Sequence, residues 1–181
     1  MRALLITVFA FFITSSASLA DVKAGDPLPS KLELLDKNAE AQSFETIKGE
    51  KGAVLVFVRS ADWCPYCQVQ LLDLRAEDGA KITDLGYNII AISYDAPEKL
   101  KTFAERYNFD HVMLSDKGSE VIKAFGILNE DFAPDHFAYG VPHPHIYIVS
   151  NDGIIQAVLS EEGYKKRPQA DVIVKAIKSN Q

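Results

Sequence analysis

Residues 53–58 read AVLVFV, six apolar residues in a row. A strand with one solvated face alternates apolar and polar residues, because successive side chains point to opposite sides. A run without alternation predicts a strand covered on both faces, as in a parallel sheet with helices packed above and below it.

The flanking patterns agree with an α/β arrangement. Upstream, KLELLD at 31–36 predicts a short strand, Lys37 and Asn38 a turn, and residues 42–44 a second brief extended piece. Downstream, Cys67, Leu71, Leu72 and Leu74 form an apolar stripe at helical spacing, with Gln68, Gln70, Asp73 and Arg75 expected to face away. Pro65 stands where a helix best tolerates proline, at its first position. NIIAISY at 88–94 predicts the next strand. After Pro97, the i, i+3, i+4, i+7 spacing of Leu100, Phe103, Ala104 and Tyr107 predicts a helix, with Phe103 and Tyr107 in the core. A short strand at 112–114 and a helix over 119–125 follow. HIYIV and IIQAVL, joined by Ser150-Asn151-Asp152-Gly153, predict an antiparallel hairpin. A last helix carries Ala170, Ile173, Val174 and Ile177 on one face. The sum is α/β, with a mixed central sheet flanked by helices and an N-terminal strand pair.

Cys64 and Cys67, in ADWCPYC, are the only cysteines. A bridge between such close neighbours removes little unfolded-state entropy, so reactivity explains the pair better than stability does. Cys64 follows the buried strand and opens a helix, where free backbone N–H groups and the helix dipole favour a thiolate. Cys67, one turn further on the apolar stripe, is the shielded partner. The expected chemistry is attack by Cys64 and resolution by Cys67.

The first twenty residues, MRALLITVFAFFITSSASLA, read as a signal peptide cleaved after Ala20, leaving residues 21–181 as one domain. The apolar run from Ala3 to Ile13 is short of the ~20 residues a bilayer span needs. The expectation is an exported protein, periplasmic or secreted, with no stable membrane insertion after cleavage. Only Arg2 is charged in that segment, so its loss moves the formal charge from −6 to −7. An acidic chain without clustered cations offers no footprint for nucleic acid. Lys165-Lys166-Arg167, the densest basic run, reads as a solvated loop.

The strand, Trp63, C-x-x-C and helix together resemble the thioredoxin superfamily, and the dipeptide Pro65-Tyr66 is the one found in glutaredoxins. SFETIKGEKGAVLVFVRSADWCPYC and the later HPHIYIVSNDG resemble the redoxin group, which includes the alkyl hydroperoxide reductase/thiol-specific antioxidant proteins and exported thiol-disulfide oxidoreductases. The resemblance covers residues 25–178 and implies a thioredoxin-like fold and a dithiol enzyme without an organic cofactor. Its partners would be protein or small-molecule thiols and disulfides, and a further redox partner would recycle the dithiol. It also implies that Pro144 is a cis-proline positioning substrate backbone, with His143 beside the sulfurs to tune Cys64 or move its proton.

Departures from that group bear on the reaction. Peroxiredoxins carry Pro and Thr where this chain has Phe57 and Ala61, and an Arg where it has Pro144. Disulfide exchange is therefore the first expectation and peroxidase activity the alternative, with Arg59 as a partial substitute for the missing charge. The buried Asp of thioredoxins corresponds to Val58, which leaves His143, His145 or water to accept the Cys67 proton. Copper-handling chaperones of this fold pair two cysteines with a later histidine, so a metal-binding alternative would use Cys64, Cys67 and an imidazole. Trp63 and Tyr66 flank the thiols as contact residues for a partner. Phe132, Phe137 and Tyr139, within Asn129–Gly140, are candidates for one wall of a substrate groove.

Overall fold

The structure, a computed structural model, describes residues 22–29, 32–75 and 77–180; the expected signal peptide lies outside them. In chain order the elements are β1 (Glu33–Asp36), β2 (Ala41–Ser43), α1 (Phe44–Ile47), β3 (Gly52–Phe57), α2 (Pro65–Arg75), α3 (Glu77–Thr83) and β4 (Tyr87–Ser93). There follow α4 (Pro97–Tyr107), β5 (Val112–Ser115), α5 (Glu120–Ala124), β6 (His145–Ser150), β7 (Ile155–Ser160) and α6 (Ala170–Ser179). The strands form one mixed sheet in the order β2-β1-β5-β4-β3-β6-β7. β3 runs parallel to β4 and antiparallel to β6, and β1 and β2 extend the far edge as the expected N-terminal pair.

Both faces of β3 are covered, as its unbroken apolar sequence requires. Val54 and Val56 join Leu71 and Leu74 of α2, Phe103 of α4, and Ile173 and Ile177 of α6 in one core. Ala53, Leu55 and Phe57 face the opposite core with Phe44 of α1 and Ile122 and Phe125 beside α5. There Phe57, Phe125 and Tyr147 pack as a three-ring cluster with centroids 4.8 to 5.7 Å apart. These pairings bring the carboxyl ends of β3 and β4 and the start of β6 to one edge of the sheet, where the cysteines lie. Among the described residues no helix is long and apolar enough to cross a membrane.

Two helices go beyond the periodicity. Phe44, expected to be extended, instead opens α1 and buries its ring. α3 forms through Gly79, a residue that normally weakens a helix. A Cβ there would run into the Leu74 carbonyl oxygen, so glycine is what lets α3 pack against the end of α2. Gln70, expected to face solvent, is buried on α2, and its Oε1 has no hydrogen-bond partner.

Candidate active site

After β3 the chain crosses residues 58–64 before entering α2, and a buried carboxylate fixes that crossing. Asp95, just past the end of β4, accepts hydrogen bonds from the Ser60 hydroxyl (2.8 Å), the Ala61 N–H (2.7 Å) and the Ser93 hydroxyl (2.8 Å). Ser60 Oγ in turn accepts the N–H groups of Asp62 and Trp63, closing a tight turn one residue before Cys64. Burial pushes the Asp95 carboxyl above its ordinary pKa, and these hydrogen bonds pull it back only in part. Sequence reading did not single out Asp95; a carboxylate directly after a buried parallel strand was the available signal.

Cys64 and Cys67 are joined in a disulfide, their Cα atoms 5.3 Å apart. The Cys67 N–H points at Cys64 Sγ at 3.3 Å, and the Cys64 carbonyl accepts from the N–H groups of Cys67 and Gln68. Cys64 therefore stands at the donor-rich start of α2, as expected from Pro65 at the first helical position. Both cysteines are almost fully covered, at 1% and 0% exposure, while Pro65 and Tyr66 between them are exposed. A reactant reaches the sulfurs past Tyr66 and the half-buried Trp63. The Trp63 indole donates to the Tyr94 hydroxyl at 2.9 Å, and that hydroxyl donates to the Phe137 carbonyl.

Two arginines belong to the same neighbourhood, Arg59 against Trp63 and Arg167 against Cys67. The guanidinium of Arg59, itself only 8% exposed, lies over the rings of Tyr164 (4.7 Å), Trp63 (5.1 Å) and Phe132 (5.5 Å). Arg167, expected in a solvated loop, is instead half-buried with Nη2 3.5 Å from Cys67 Sγ. Burial first, then the like charge of Arg59, pulls the Arg167 pKa down to about 10, so it remains a cation at neutral pH. Nε of each arginine is buried without a partner, and neither takes part in an ion pair among the described residues. Arg167 at Cys67 Sγ, with Arg59 close enough to repel it and no carboxylate paired to either, favours negative charge on sulfur.

Other expectations are corrected. The His143–Pro144 bond is trans, as are the other described peptide bonds, so Pro144 is not the cis-proline implied by resemblance. The backbone accounts for this. His143 N–H donates to the Ile127 carbonyl at 2.7 Å and Pro142 bridges Leu128, which fixes an extended entry into β6 that trans geometry satisfies. The exposed side of that entry carries His143 and His145 into a shallow depression with Val22, Lys23 and Tyr147. The Cys67 N–H and the Arg167 guanidinium make polar contacts to the two sulfurs. His136 stacks on Phe132 and accepts the Ala138 N–H. Among the described residues no group of three or more His, Cys, Asp or Glu side chains is placed to hold a metal. Residues 129–140 do reach the site, since Phe137, though largely exposed, packs edge-on against Trp63 and Phe132 lies under Arg59.

The AhpC/TSA family matches residues 24–158, which contain both cysteines and Arg59. The chain belongs to this family. It is 30% identical to peroxiredoxin Bcp of Escherichia coli K12 over 159 residues, covering 88% of this chain and 97% of that protein. It is 27% identical to a chloroplastic peroxiredoxin Q of Populus jackii over 172 residues, covering 92% of this chain and 76% of that one. Among solved structures, peroxidoxin BcpB of Mycobacterium tuberculosis superposes with a TM-score of 0.74 at 22% identity, covering 88% of this chain and 99% of that one. Peroxiredoxin Q of Xanthomonas campestris gives 0.68 at 18% identity, over 90% and 98% of the two chains, so both share the thioredoxin-like fold. As an AhpC/TSA member with a paired dithiol, the chain is a thiol-based redox enzyme.

Proposed function

We propose that this enzyme is a thiol-dependent peroxidase, with Cys64 as the peroxidatic and Cys67 as the resolving cysteine. The observation that carries the reading is a pair of unneutralised guanidinium groups, Arg167 against Cys67 Sγ and Arg59 over the ring of Trp63 next to Cys64. They supply positive charge that the peroxiredoxin pattern places elsewhere, at the position occupied here by Pro144. In the proposed cycle the Cys64 thiolate attacks one peroxide oxygen and the O–O bond breaks. The other oxygen leaves with a proton as water or an alcohol, and Cys64 becomes a sulfenic acid. Cys67 then attacks Cys64 Sγ, the S–S bond forms and the hydroxyl departs as water. An external dithiol returns the pair to the reduced state and is itself oxidised.

Direct disulfide exchange is the second reading, favoured by one specific feature. The bond closes within the first turn of α2 while the helix stays formed from Pro65 to Arg75, so the disulfide is compatible with an intact helix. The test is a competition in which the reduced protein meets limiting hydrogen peroxide and a small disulfide, and the rate of Cys64 oxidation by each is followed. Faster oxidation by peroxide supports the peroxidase; a disulfide faster by orders of magnitude replaces it with exchange. Export with cleavage after Ala20 belongs to the same proposal, and N-terminal sequencing of the protein recovered from the cell envelope or medium checks it.

A further inference from the structure

Arg167 lies on the connection between β7 and α6, beyond residue 158 where the family match ends. Its approach to Cys67 is built rather than incidental. Nη1 donates to the carbonyl oxygens of Tyr164 and Lys166, which orient the guanidinium without neutralising it. The next residue, Pro168, is buried, and α6 begins two residues later with Ile173 and Ile177 in the core. The segment that carries Arg167 is thereby pinned to the body of the fold, and Nη2 faces the sulfur.

The charged groups around Arg167 do not offer it a counter-ion. Arg59 repels it. Lys165, Lys166, Asp73 and Glu161 line the adjoining depression of about 350 Å³, and neither carboxylate makes an ion pair or a hydrogen bond with Arg167. At Cys67 Sγ the side chain in polar contact is Arg167, and the apolar, buried Val58 stands where the resemblance would put a buried acid. A resolving thiol deep in an apolar site is held in its neutral, unreactive form by desolvation unless a base or a cation intervenes.

We propose that Arg167 is a catalytic residue that makes Cys67 a competent thiolate, as nucleophile when the Cys64–Cys67 bond forms and as leaving group when it opens. The inference deepens the dithiol reading above and rests on it. In the forward step the Cys67 electron pair forms the S–S bond as the S–O bond of the Cys64 sulfenic acid breaks, and hydroxide leaves to become water. In the reverse step a thiolate of the external dithiol attacks Cys64, the S–S bond breaks and its electron pair stays on Cys67. The second thiol of that reductant then releases Cys64 and closes the reductant's own disulfide. Negative charge collects on Cys67 Sγ in both directions, at the atom the guanidinium faces.

The decisive measurement is the titration of Cys67 alone, followed by thiolate absorbance or by the pH dependence of alkylation. It uses Cys64→Ser protein with Arg167 intact, with Arg167→Gln and with Arg167→Lys, all checked for cooperative melting. The proposal expects Gln to raise the Cys67 pKa by at least one unit, about a tenfold loss of thiolate at neutral pH, and Lys to recover part of that loss. An unchanged pKa in the Gln protein, or a Lys protein no better than Gln, overturns it. If Arg167→Gln disturbs folding, single turnovers of the two-cysteine protein decide. Disulfide formation after peroxide addition should slow about tenfold near neutral pH and recover under alkaline conditions, where Cys67 ionises unaided. A slowing that alkali does not rescue overturns the role. Because the titration needs no turnover, failure of the peroxidase reading would appear separately, as a dithiol that peroxide does not oxidise.

Discussion

The two flanks of the CPYC turn are built on opposite principles. On the Asp95 side every donor aimed at the carboxylate is satisfied, and three hydrogen bonds tie the end of β4 and the turn before Cys64 into one unit. On the arginine side one cation is buried against aromatic rings and another half-buried against a sulfur, each with an Nε that lacks a partner. A saturated network holds geometry, and an unsaturated one holds electrostatic potential ready for a charge that appears only during reaction. Under the proposed mechanism the contrast separates residues that keep the enzyme folded from residues that make it react.

That separation can be broken in order of effect. Cys64→Ser should abolish turnover of both peroxide and small disulfides while the protein melts as a folded domain. Cys67→Ser should instead accumulate mixed disulfides with thiol partners, seen as mass adducts. Asp95→Ala strands the Ala61 N–H and two serine hydroxyls, and should cost about 2–4 kcal/mol in chemical denaturation. Arg59→Met is the sharpest contrast. Lost cation–π contact and relieved burial of charge oppose each other, so stability should change by less than ~1 kcal/mol while Cys64 oxidation slows about tenfold or more. A large stability loss at Arg59 with unchanged kinetics would reverse the assignment of the two flanks. Trp63→Phe removes the hydrogen bond to Tyr94 and should cost about 1 kcal/mol, with a modest change in reaction with bulky disulfides.

The smallest effect is in pH. Asp95 binds its proton more tightly folded than unfolded, because burial raises its pKa. Its contribution to stability is therefore fully present below the ordinary carboxylate value of about 4 and declines as pH rises through the elevated folded value. Thermal melts across that window should show wild type losing stability relative to Asp95→Asn as pH increases. A constant difference would mean that Asp95 is not a buried titrating group.

The fold was largely legible because its strongest signals are local. AVLVFV announced a strand buried on both faces, Pro65 the start of α2, and the run from Ser150 to Gly153 the final hairpin. The failures share a cause, which is that tertiary packing decided them. Gly79 reads as a breaker until the Leu74 carbonyl oxygen is placed beside it, and Gln70 reads as surface until α6 and its preceding segment cover it. In the site, local order placed Cys64 and Cys67. Arg167 stood a hundred residues away inside a run of three cations, and its meaning depends on which face of the β7–α6 connection turns inward. Pro144 and His143 were carried over by resemblance, and the hydrogen bond from His143 to Ile127 directs that segment elsewhere.

A disulfide closed within one intact helical turn also settles what the molecule can tell its surroundings. In the oxidised state α2 runs unbroken from Pro65 to Arg75 with the bond inside its first turn, so holding the two sulfurs together asks for no displaced strand or melted helix. If the reduced protein keeps that helix, a partner reads the redox state at the sulfur itself rather than from the shape of the molecule, and equal hydrodynamic radii for the two states would show it.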